Sequence, residues 1–364
     1  MPKSLKNCKI KLMKKSKILI LSLTYLPFIG GAEVAIKEIT SHLSGDFSFD
    51  MITCGLDKKL PKFEQIGNIN IYRVGKGKLS KYFYPYLALK QSKKLYKKNN
   101  YKIAWAMMAT WAGWAALKIK EKFPEIKYLL TLQSGDSDKF IKKRTWFWNR
   151  RYKKIYQKAD KIQVISKWLE KRARRFGYKG EISLVPNGVN IELRIKNYEL
   201  REKLNLKNNE KVILTVSRLV EKNGIEYLIK SIPQLLNFSI TQLLIIGNGP
   251  LKNKLENLVQ ELELKDKVKF LGKLDFKETQ KYYSIADVFC RPSLSEGFGN
   301  VFVEAMASGV PVAATPIGGI VDFLKDGETG WFCKVKNPQS IAEKINYILD
   351  EKNKNEVRQV VANA

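Results

Sequence analysis

Residues 295–309 read Ser295-Glu296-Gly297-Phe298-Gly299-Asn300-Val301-Phe302-Val303-Glu304-Ala305-Met306-Ala307-Ser308-Gly309. The stretch sets two carboxylates eight positions apart, Glu296 in a glycine-rich loop and Glu304 inside a predicted helix. Gly297 and Gly299 let the backbone approach a ligand closely. The apolar run from Val301 to Ala307 predicts a buried helix whose N-terminus opens onto the loop. Such an N-terminus offers free N–H groups and a partial positive charge, which suits a phosphate. One segment therefore offers an anion site and two acceptors for hydroxyl groups, the two chemistries that a nucleotide sugar presents. The competing reading is a surface loop and a core helix that carry two incidental glutamates.

Working outward, short apolar runs alternate with amphipathic stretches. Strands are predicted at 17–23, 49–54, 69–74, 102–107, 127–132, 161–165 and 181–185, then at 211–216, 241–246, 267–271, 287–290 and 311–314. Many are continuous Ile/Leu/Val runs, as in parallel strands buried on both faces. Helical patterns between them give the signature of two doubly wound α/β domains, which bind ligands beyond the carboxyl ends of their strands. Glycine turns sit at those ends. They are Pro27-Phe28-Ile29-Gly30-Gly31-Ala32-Glu33, Val216-Ser217-Arg218-Leu219-Val220-Glu221-Lys222-Asn223-Gly224, Ile246-Gly247-Asn248-Gly249-Pro250 and Phe270-Leu271-Gly272. Pro186-Asn187-Gly188-Val189 forms a further turn near the midpoint.

Each motif is weak alone, but together and in this order they resemble the retaining glycosyltransferases of family 4, whose Glu-x7-Glu motif matches Glu296 and Glu304. The resemblance covers nearly the whole chain. It implies the GT-B architecture, two Rossmann-like domains with parallel sheets facing across a cleft. Residues 1–190, with a basic tail at 1–16, would bind the acceptor, and residues 191–364 the nucleotide-sugar donor. Arg218 and Lys222 would neutralise the leaving diphosphate, aided by backbone N–H groups at Gly30, Gly31 and the Gly299 loop. Glu304 would accept from ribose hydroxyls and Glu296 from the transferring sugar. Gly247, Gly249, Gly272, Phe298, Asn300 and Val301 complete the implied donor site. The competing, less favoured reading makes Arg218, Lys222 and Glu296 solvated charges and Glu304 a locally paired helix residue.

The resemblance further implies retention of anomeric configuration with no protein nucleophile. No cofactor or metal is expected, because the two cations stand in for a metal and no Asp-x-Asp pair is available to hold one on the nucleotide. The strand-end segment Thr131-Leu132-Gln133-Ser134-Gly135-Asp136 departs from the family, since many members carry a histidine where this chain has Gln133. Glutamine donates and accepts hydrogen bonds but cannot shuttle a proton. Gln133 and Asp136 are candidates for sugar or acceptor contact; for Asp136 a turn-stabilising role is equally open. The chain ends at Ala364, where members usually continue into a helix crossing back to the first domain.

Composition narrows the classes. With 364 residues and 45% hydrophobic content the chain is long enough for two cores. Cys8, Cys54, Cys290 and Cys333 lack close spacing, which excludes a CxxC zinc site and points to a reduced, cytoplasmic setting. His42 is the single histidine, so histidine-rich metal sites are excluded. The uncharged run Ile103 to Leu117 falls short of the roughly 18–20 residues a membrane span needs. Either Met1 or Met13 can start the chain.

Charge is divided unevenly. Residues 1–190 hold 41 Lys+Arg against 13 Asp+Glu, a net of +28; residues 191–364 hold 25 against 22, a net of +3. Solvated lysine faces account for part of this asymmetry, and an anionic membrane surface at the inner face explains it better, because basic segments with aromatics bind it. The predicted contacts are Lys90, Lys93, Lys94, Lys97 and Lys98, with Tyr82, Phe83, Trp146 and Trp148 as anchors. Nucleic acid is not expected, since no nucleic-acid fold motif is present. The expected activity is transfer of a hexose, from a UDP-sugar before a GDP-sugar, to a lipid-linked or saccharide acceptor of the cell envelope. The alternatives are a GT-B nucleotide-sugar epimerase and a non-catalytic membrane- or polyanion-binding protein.

Overall fold

The computed structural model describes residues 15–189, 198–207, 209–236 and 241–364. The boundary expected at 190–191, Cys8 and the basic tail up to residue 14 lie outside them. Two compact units emerge. One comprises the chain up to Leu132 with Trp148–Gln163 and Phe176–Ser183; the other comprises Gln133–Phe147, Val164–Arg175 and the chain from Leu184 on.

The strands are β1 (Ser16–Leu21), β2 (Phe47–Cys54), β3 (Phe63–Ile66), β4 (Ile69–Val74), β5 (Ile103–Met107), β6 (Lys127–Leu132), β7 (Lys161–Val164) and β8 (Ile182–Leu184) in one sheet, ordered β3-β4-β2-β1-β5-β6-β7-β8. From β4 through β6 the pairs are parallel, and β3 joins the edge antiparallel. The second sheet holds β9 (Lys211–Val216), β10 (Thr241–Ile246), β11 (Val268–Gly272), β12 (Val288–Arg291), β13 (Val312–Ala314) and β14 (Trp331–Phe332). Its order is β11-β10-β9-β12-β13-β14 and every pair is parallel. That is the doubly wound order, with the switch in chain direction between β9 and β12, where such folds open a crevice for ligands.

Helices of the first unit are α1 (Gly31–His42), α2 (Ser80–Tyr96) and α3 (Trp111–Lys122). Next in chain order come α4 (Asp138–Thr145) of the second unit and α5 (Asn149–Gln157) of the first. The second unit continues with α6 (Lys167–Arg175), α7 (Tyr198–Lys203), α8 (Ile225–Ser231), α9 (Lys252–Glu261), α10 (Phe276–Tyr283), α11 (Asn300–Ala307), α12 (Pro338–Leu349) and α13 (Lys354–Asn363). Strand alternation sends Ile213, Leu243, Ile245 and Val288 to a core shared with α8, α9, α12 and α13. Val212, Leu214, Leu244, Ile246 and Phe289 go to the opposite core with Phe302, Ala305 and Met306 of α11. Both faces are dry, which is why these strands read as continuous apolar runs. The C-terminal helix α13 buries Val357 and Val360 in the first of these cores.

The twelve predicted strands all occur, with ends shifted by no more than two residues. Two strands were not anticipated. β3 alternates exposed and half-buried residues, so it lacks an apolar run, and β14 spans two residues, too few to show a period. Cys54, Cys290 and Cys333 are buried free thiols. His42 lies in the last turn of α1 with Nδ1 2.8 Å from the Glu38 carbonyl oxygen, a local structural contact.

Candidate active site

The second unit collects most of the predicted site residues at the carboxyl ends of β9 and β12. The loop after β9 carries Arg218, which is exposed, and Lys222, which is half-buried. The neighbouring strand ends are stitched to it by backbone bonds: Ser217 N–H to the Ile246 carbonyl (2.8 Å), Leu219 N–H to that of Asn248 (3.1 Å), and Gly247 N–H to that of Gly272 (2.7 Å). The Gly247, Gly249 and Gly272 turns therefore form one layer with the cationic loop. The Lys222 carbonyl accepts from the Leu294 N–H at 2.6 Å, which ties this loop to the one after β12.

The loop after β12 leads into α11. Gly299 takes φ +90° at the N-terminal boundary of that helix, a left-handed conformation that favours glycine. Glu296 is held at both oxygens: Oε1 accepts from its neighbour's N–H (Gly297, 2.9 Å), and Oε2 pairs with the Arg291 guanidinium. Glu304 lies one helix turn inside α11. Its Oε2 accepts from the Tyr283 hydroxyl at 3.0 Å. Burial pushes the Glu304 carboxyl above its ordinary pKa, while Tyr283 and Arg291 pull it the other way. The Phe298 ring is buried against Phe323, centroids 5.0 Å apart, so only its backbone is free to meet a ligand. Val301 is half-buried and packs on the α11 core.

The predicted contacts Gln133 and Asp136 belong to this same unit. Gln133 Nε2 donates to Asn187 Oδ1 (3.3 Å), and Asn187 Nδ2 donates to Asn300 Oδ1 (3.1 Å), an amide chain that reaches the first residue of α11. Asp136 is paired with Lys222, Nζ to Oδ1 2.9 Å. Burial alone would raise the Asp136 pKa, but Lys222, Ser134 and Arg172 together hold it below the usual value. The cation predicted to meet a diphosphate thus faces a carboxylate here. Gly135 lies so close to the β12 loop that a Cβ would stand 2.5 Å from the Gly297 amide nitrogen.

An Asp-x-Asp pair does occur, contrary to expectation: Asp136-Ser137-Asp138. Its carboxylates are taken by protein cations, Asp136 by Lys222 and Asp138 by Arg172 and Arg175. Among the described residues no cluster of three or more His, Cys, Asp or Glu could hold a metal ion. Arg172 itself gave no signal in the sequence. Buried at 1% exposure in α6, it donates to the Ser134 carbonyl (2.9 Å) and the Asp136 carbonyl, and its guanidinium lies 4.1 Å from the Trp168 ring centre. It fixes the loop that presents Asp136.

In the first unit, Gly30 and Gly31 lie exposed at the start of α1. Glu33 was not anticipated there. Its carboxylate is buried, accepts from the Thr24 hydroxyl, and would touch a Cβ at Gly30 at 2.8 Å.

The predicted membrane contacts are strung along α2 and the segment after α4. Tyr82 and Phe83 open α2, while Lys90, Lys93 and Lys94 lie on its second half with Lys97 and Lys98 beyond its end. At about 1.5 Å rise per residue, Tyr82 and Lys93 are separated by roughly 16 Å. Trp148 is also no free anchor. It stacks on Trp111 and Trp114, centroids 5.9 and 5.3 Å apart, in a cluster edged by Tyr82 and Tyr86. The cations nearest this cluster are Arg151 over Trp114 (4.7 Å), Lys118 over Tyr86 (4.2 Å) and Lys81 over Tyr82 (5.0 Å). Tyr82, Phe83 and Tyr86 remain more than half exposed, and Trp146 is 76% exposed. No helix among the described residues is long and apolar enough to cross a membrane.

Two Rossmann-like units, one with a loop–helix carboxylate pair beside a cationic strand-end loop, define a GT-B glycosyltransferase. The comparisons agree. Residues 29–193 match the family described as Glycosyltransferase Family 4, and residues 196–364 match Glycosyl transferases group 1. An uncharacterised glycosyltransferase of Methanocaldococcus jannaschii is 30% identical over 359 residues, 92% of this chain and 89% of the relative. The alpha-monoglucosyldiacylglycerol synthase of Acholeplasma laidlawii is 26% identical over 247 residues, 64% of this chain and 62% of that enzyme. Among solved structures, sucrose-phosphate synthase from Thermosynechococcus elongatus superposes with a TM-score of 0.83 at 26% identity, covering 96% of this chain and 93% of that one. The chain belongs to the GT-B glycosyltransferases of this family.

Proposed function

We propose that the protein is a retaining, metal-independent hexosyltransferase that moves a sugar from a nucleotide-sugar, a UDP-sugar before a GDP-sugar, to a lipid-linked or saccharide acceptor of the cell envelope. The observation that carries the reading is the placement of Glu296 and Glu304 on one loop and helix at the β12 end, beside Arg218 and Lys222 at the β9 end. Glu304 accepts from the ribose hydroxyls. Glu296, already anchored at both oxygens, presents its remaining lone pairs to the sugar. Arg218 and Lys222 stabilise the charge that builds on the departing diphosphate, aided by N–H groups at the start of α11. A diphosphate competes with Asp136 for Lys222. Its arrival frees the Asp136 carboxylate to accept from a neighbouring hydroxyl of the acceptor, while the attacking hydroxyl bonds to the anomeric carbon as the sugar–phosphate bond breaks and gives its proton to the leaving phosphate oxygen on the same face of the sugar. Catalysis is then positioning and electrostatics, with no protein nucleophile.

A lipid-linked acceptor met at the inner face of the membrane is favoured by the aromatic cluster of α2, α3 and α5. Its neighbouring cations are Lys81, Lys118 and Arg151, and neither α2 nor α5 contains an acidic residue. Aromatic rings at a headgroup boundary and cations against anionic lipid suit that surface. The Acholeplasma relative is named for a glucosylated diacylglycerol, a glycolipid. The test is nucleotide release by the purified protein from a panel of UDP- and GDP-sugars, with lipid extract as acceptor. Transfer with an α-configured donor giving an α-linked product supports the reading. Inversion, 2-epimerisation of the donor, or no release from any donor removes it.

A further inference from the structure

Arg291 is the last residue of β12 and is 6% exposed. A guanidinium at the end of a buried parallel strand is costly unless its N–H groups are occupied. Here Nε donates to Ser293 Oγ at 3.1 Å, and Nη2 pairs with Glu296 Oε2. The same guanidinium lies 4.5 Å from the centre of the Phe302 ring, in the first turn of α11. A Cβ at Gly299 would approach Nη2 to 3.2 Å, so the backbone at the boundary of α11 is also in contact. One buried side chain therefore touches the loop carboxylate, the helix boundary and the first helical turn.

We propose that Arg291 is the positioning residue of the donor site, fixing the Glu296 carboxylate toward the transferring sugar and holding the β12 loop in register with α11. The proposal rests on the reading of Glu296 as the sugar-facing carboxylate. Two features give it force. Glu296 has its other oxygen tied to its neighbour's N–H, so the Arg291 contact removes the remaining freedom of the carboxylate plane. Arginine's flat, forked donor set also serves three directions at once, Ser293, Glu296 and the Phe302 face, which a lysine ammonium cannot reproduce. Arg291 does not touch the donor; it acts through Glu296. Its replacement by lysine, which keeps the positive charge that acts on Glu304, should therefore slow turnover while leaving the bare nucleotide bound.

The test uses the full chain with Arg291→Lys, Arg291→Gln, Glu296→Gln and the double variant Arg291→Gln/Glu296→Gln. UDP affinity is measured by calorimetry, and kcat and KM with the fastest donor of the panel. Arg291→Lys keeps the charge and serves as the variant that folds if Arg291→Gln does not. It is expected to bind UDP within about 3-fold of the unsubstituted protein while kcat falls about 100-fold, the scale of an ångström-sized misplacement. The double variant should be no slower than Glu296→Gln alone, because the two residues act as one unit. Unchanged kcat in Arg291→Lys overturns the proposal. So does UDP affinity falling in step with kcat, or a double variant slowed by the product of the single effects. An unsubstituted protein that turns over no donor sinks the transferase reading instead. The denaturation midpoints of the same set then decide the pairing: non-additive shifts support it and additive shifts overturn it.

Discussion

Replacing Gly135 with alanine probes how tightly the loop that carries Glu296 is built. A Cβ there would stand 2.5 Å from the Gly297 nitrogen and 3.1 Å from both the carbonyl carbon and Cα of Glu296, against an ordinary contact that starts at 3.4 Å. The Gly297 nitrogen must retreat by the difference, 0.9 Å. Its N–H is one of the two anchors of the Glu296 carboxylate, so backbone and side chain move together. Gly135 is not among the residues with positive φ, so the added methyl meets no backbone strain and the close approach is the whole effect. A misplacement of about 1 Å costs on the order of 100-fold in rate. Overpacking costs about 1–3 kcal/mol of stability. The three atoms nearest this methyl belong to Glu296 and Gly297 and none to Glu304 or Arg218, so UDP binding should hold. The assay compares kcat, UDP affinity and melting temperature for Gly135→Ala and for Gly45→Ala, where a Cβ meets nothing within 4 Å. Turnover of Gly135→Ala within twofold of the unsubstituted protein would refute the reasoning, as would parallel loss of UDP.

Three further outcomes follow from the site. UDP affinity should fall on acidification through the raised pKa of Glu304, above the ordinary carboxylate range, because protonation removes an acceptor for ribose. Apo stability runs the other way, since a buried carboxyl with a raised pKa stabilises the fold below its unfolded value and loses that contribution as pH rises through the folded one; Glu304→Gln should flatten both profiles, and unchanged profiles would count against the assignment. Activity should survive EDTA, because Arg218 and Lys222 supply the positive charge; loss reversed by Mg²⁺ or Mn²⁺ would make the Asp136-Ser137-Asp138 carboxylates the place to look. Co-sedimentation with anionic vesicles should weaken in 1 M salt, where the Debye length is about 3 Å, and weaken when Lys81, Lys118 and Arg151 become glutamine; equal binding to neutral vesicles speaks against the membrane surface.

The fold was legible because the central strands of both sheets are parallel and buried, so β1, β9 and β10 announce themselves as aliphatic runs. β3 and β14 escaped for the opposite reason, one half-polar at an edge and one only two residues long. In the site, glycines and carboxylates with fixed spacing could be read from residues 295–309 alone. What could not be read was pairing across long separations. Lys222 meets Asp136, Arg172 reaches back to Ser134 and Asp136, and Asn187 links Gln133 to Asn300. Most of these residues stood out in their own stretches, but nothing in the sequence paired them, and only the tertiary fold brings them together. The lysine run of α2 shows the same limit. Composition counted its charge without showing that Lys81, Lys118 and Arg151 are the cations placed on the rings of the aromatic cluster.

The division of labour between the two glutamates is the centre of the account, and one calorimetric and kinetic comparison tests it. Glu304→Ala is expected to weaken UDP itself by roughly 10- to 150-fold, the loss of a charged hydrogen-bond partner worth about 1.5–3 kcal/mol. Glu296→Ala should bind UDP as the unsubstituted protein does and lose turnover by at least a similar factor. Two variants that bind and turn over like the unsubstituted protein, or a Glu296→Ala that loses UDP while Glu304→Ala keeps it, would contradict the site.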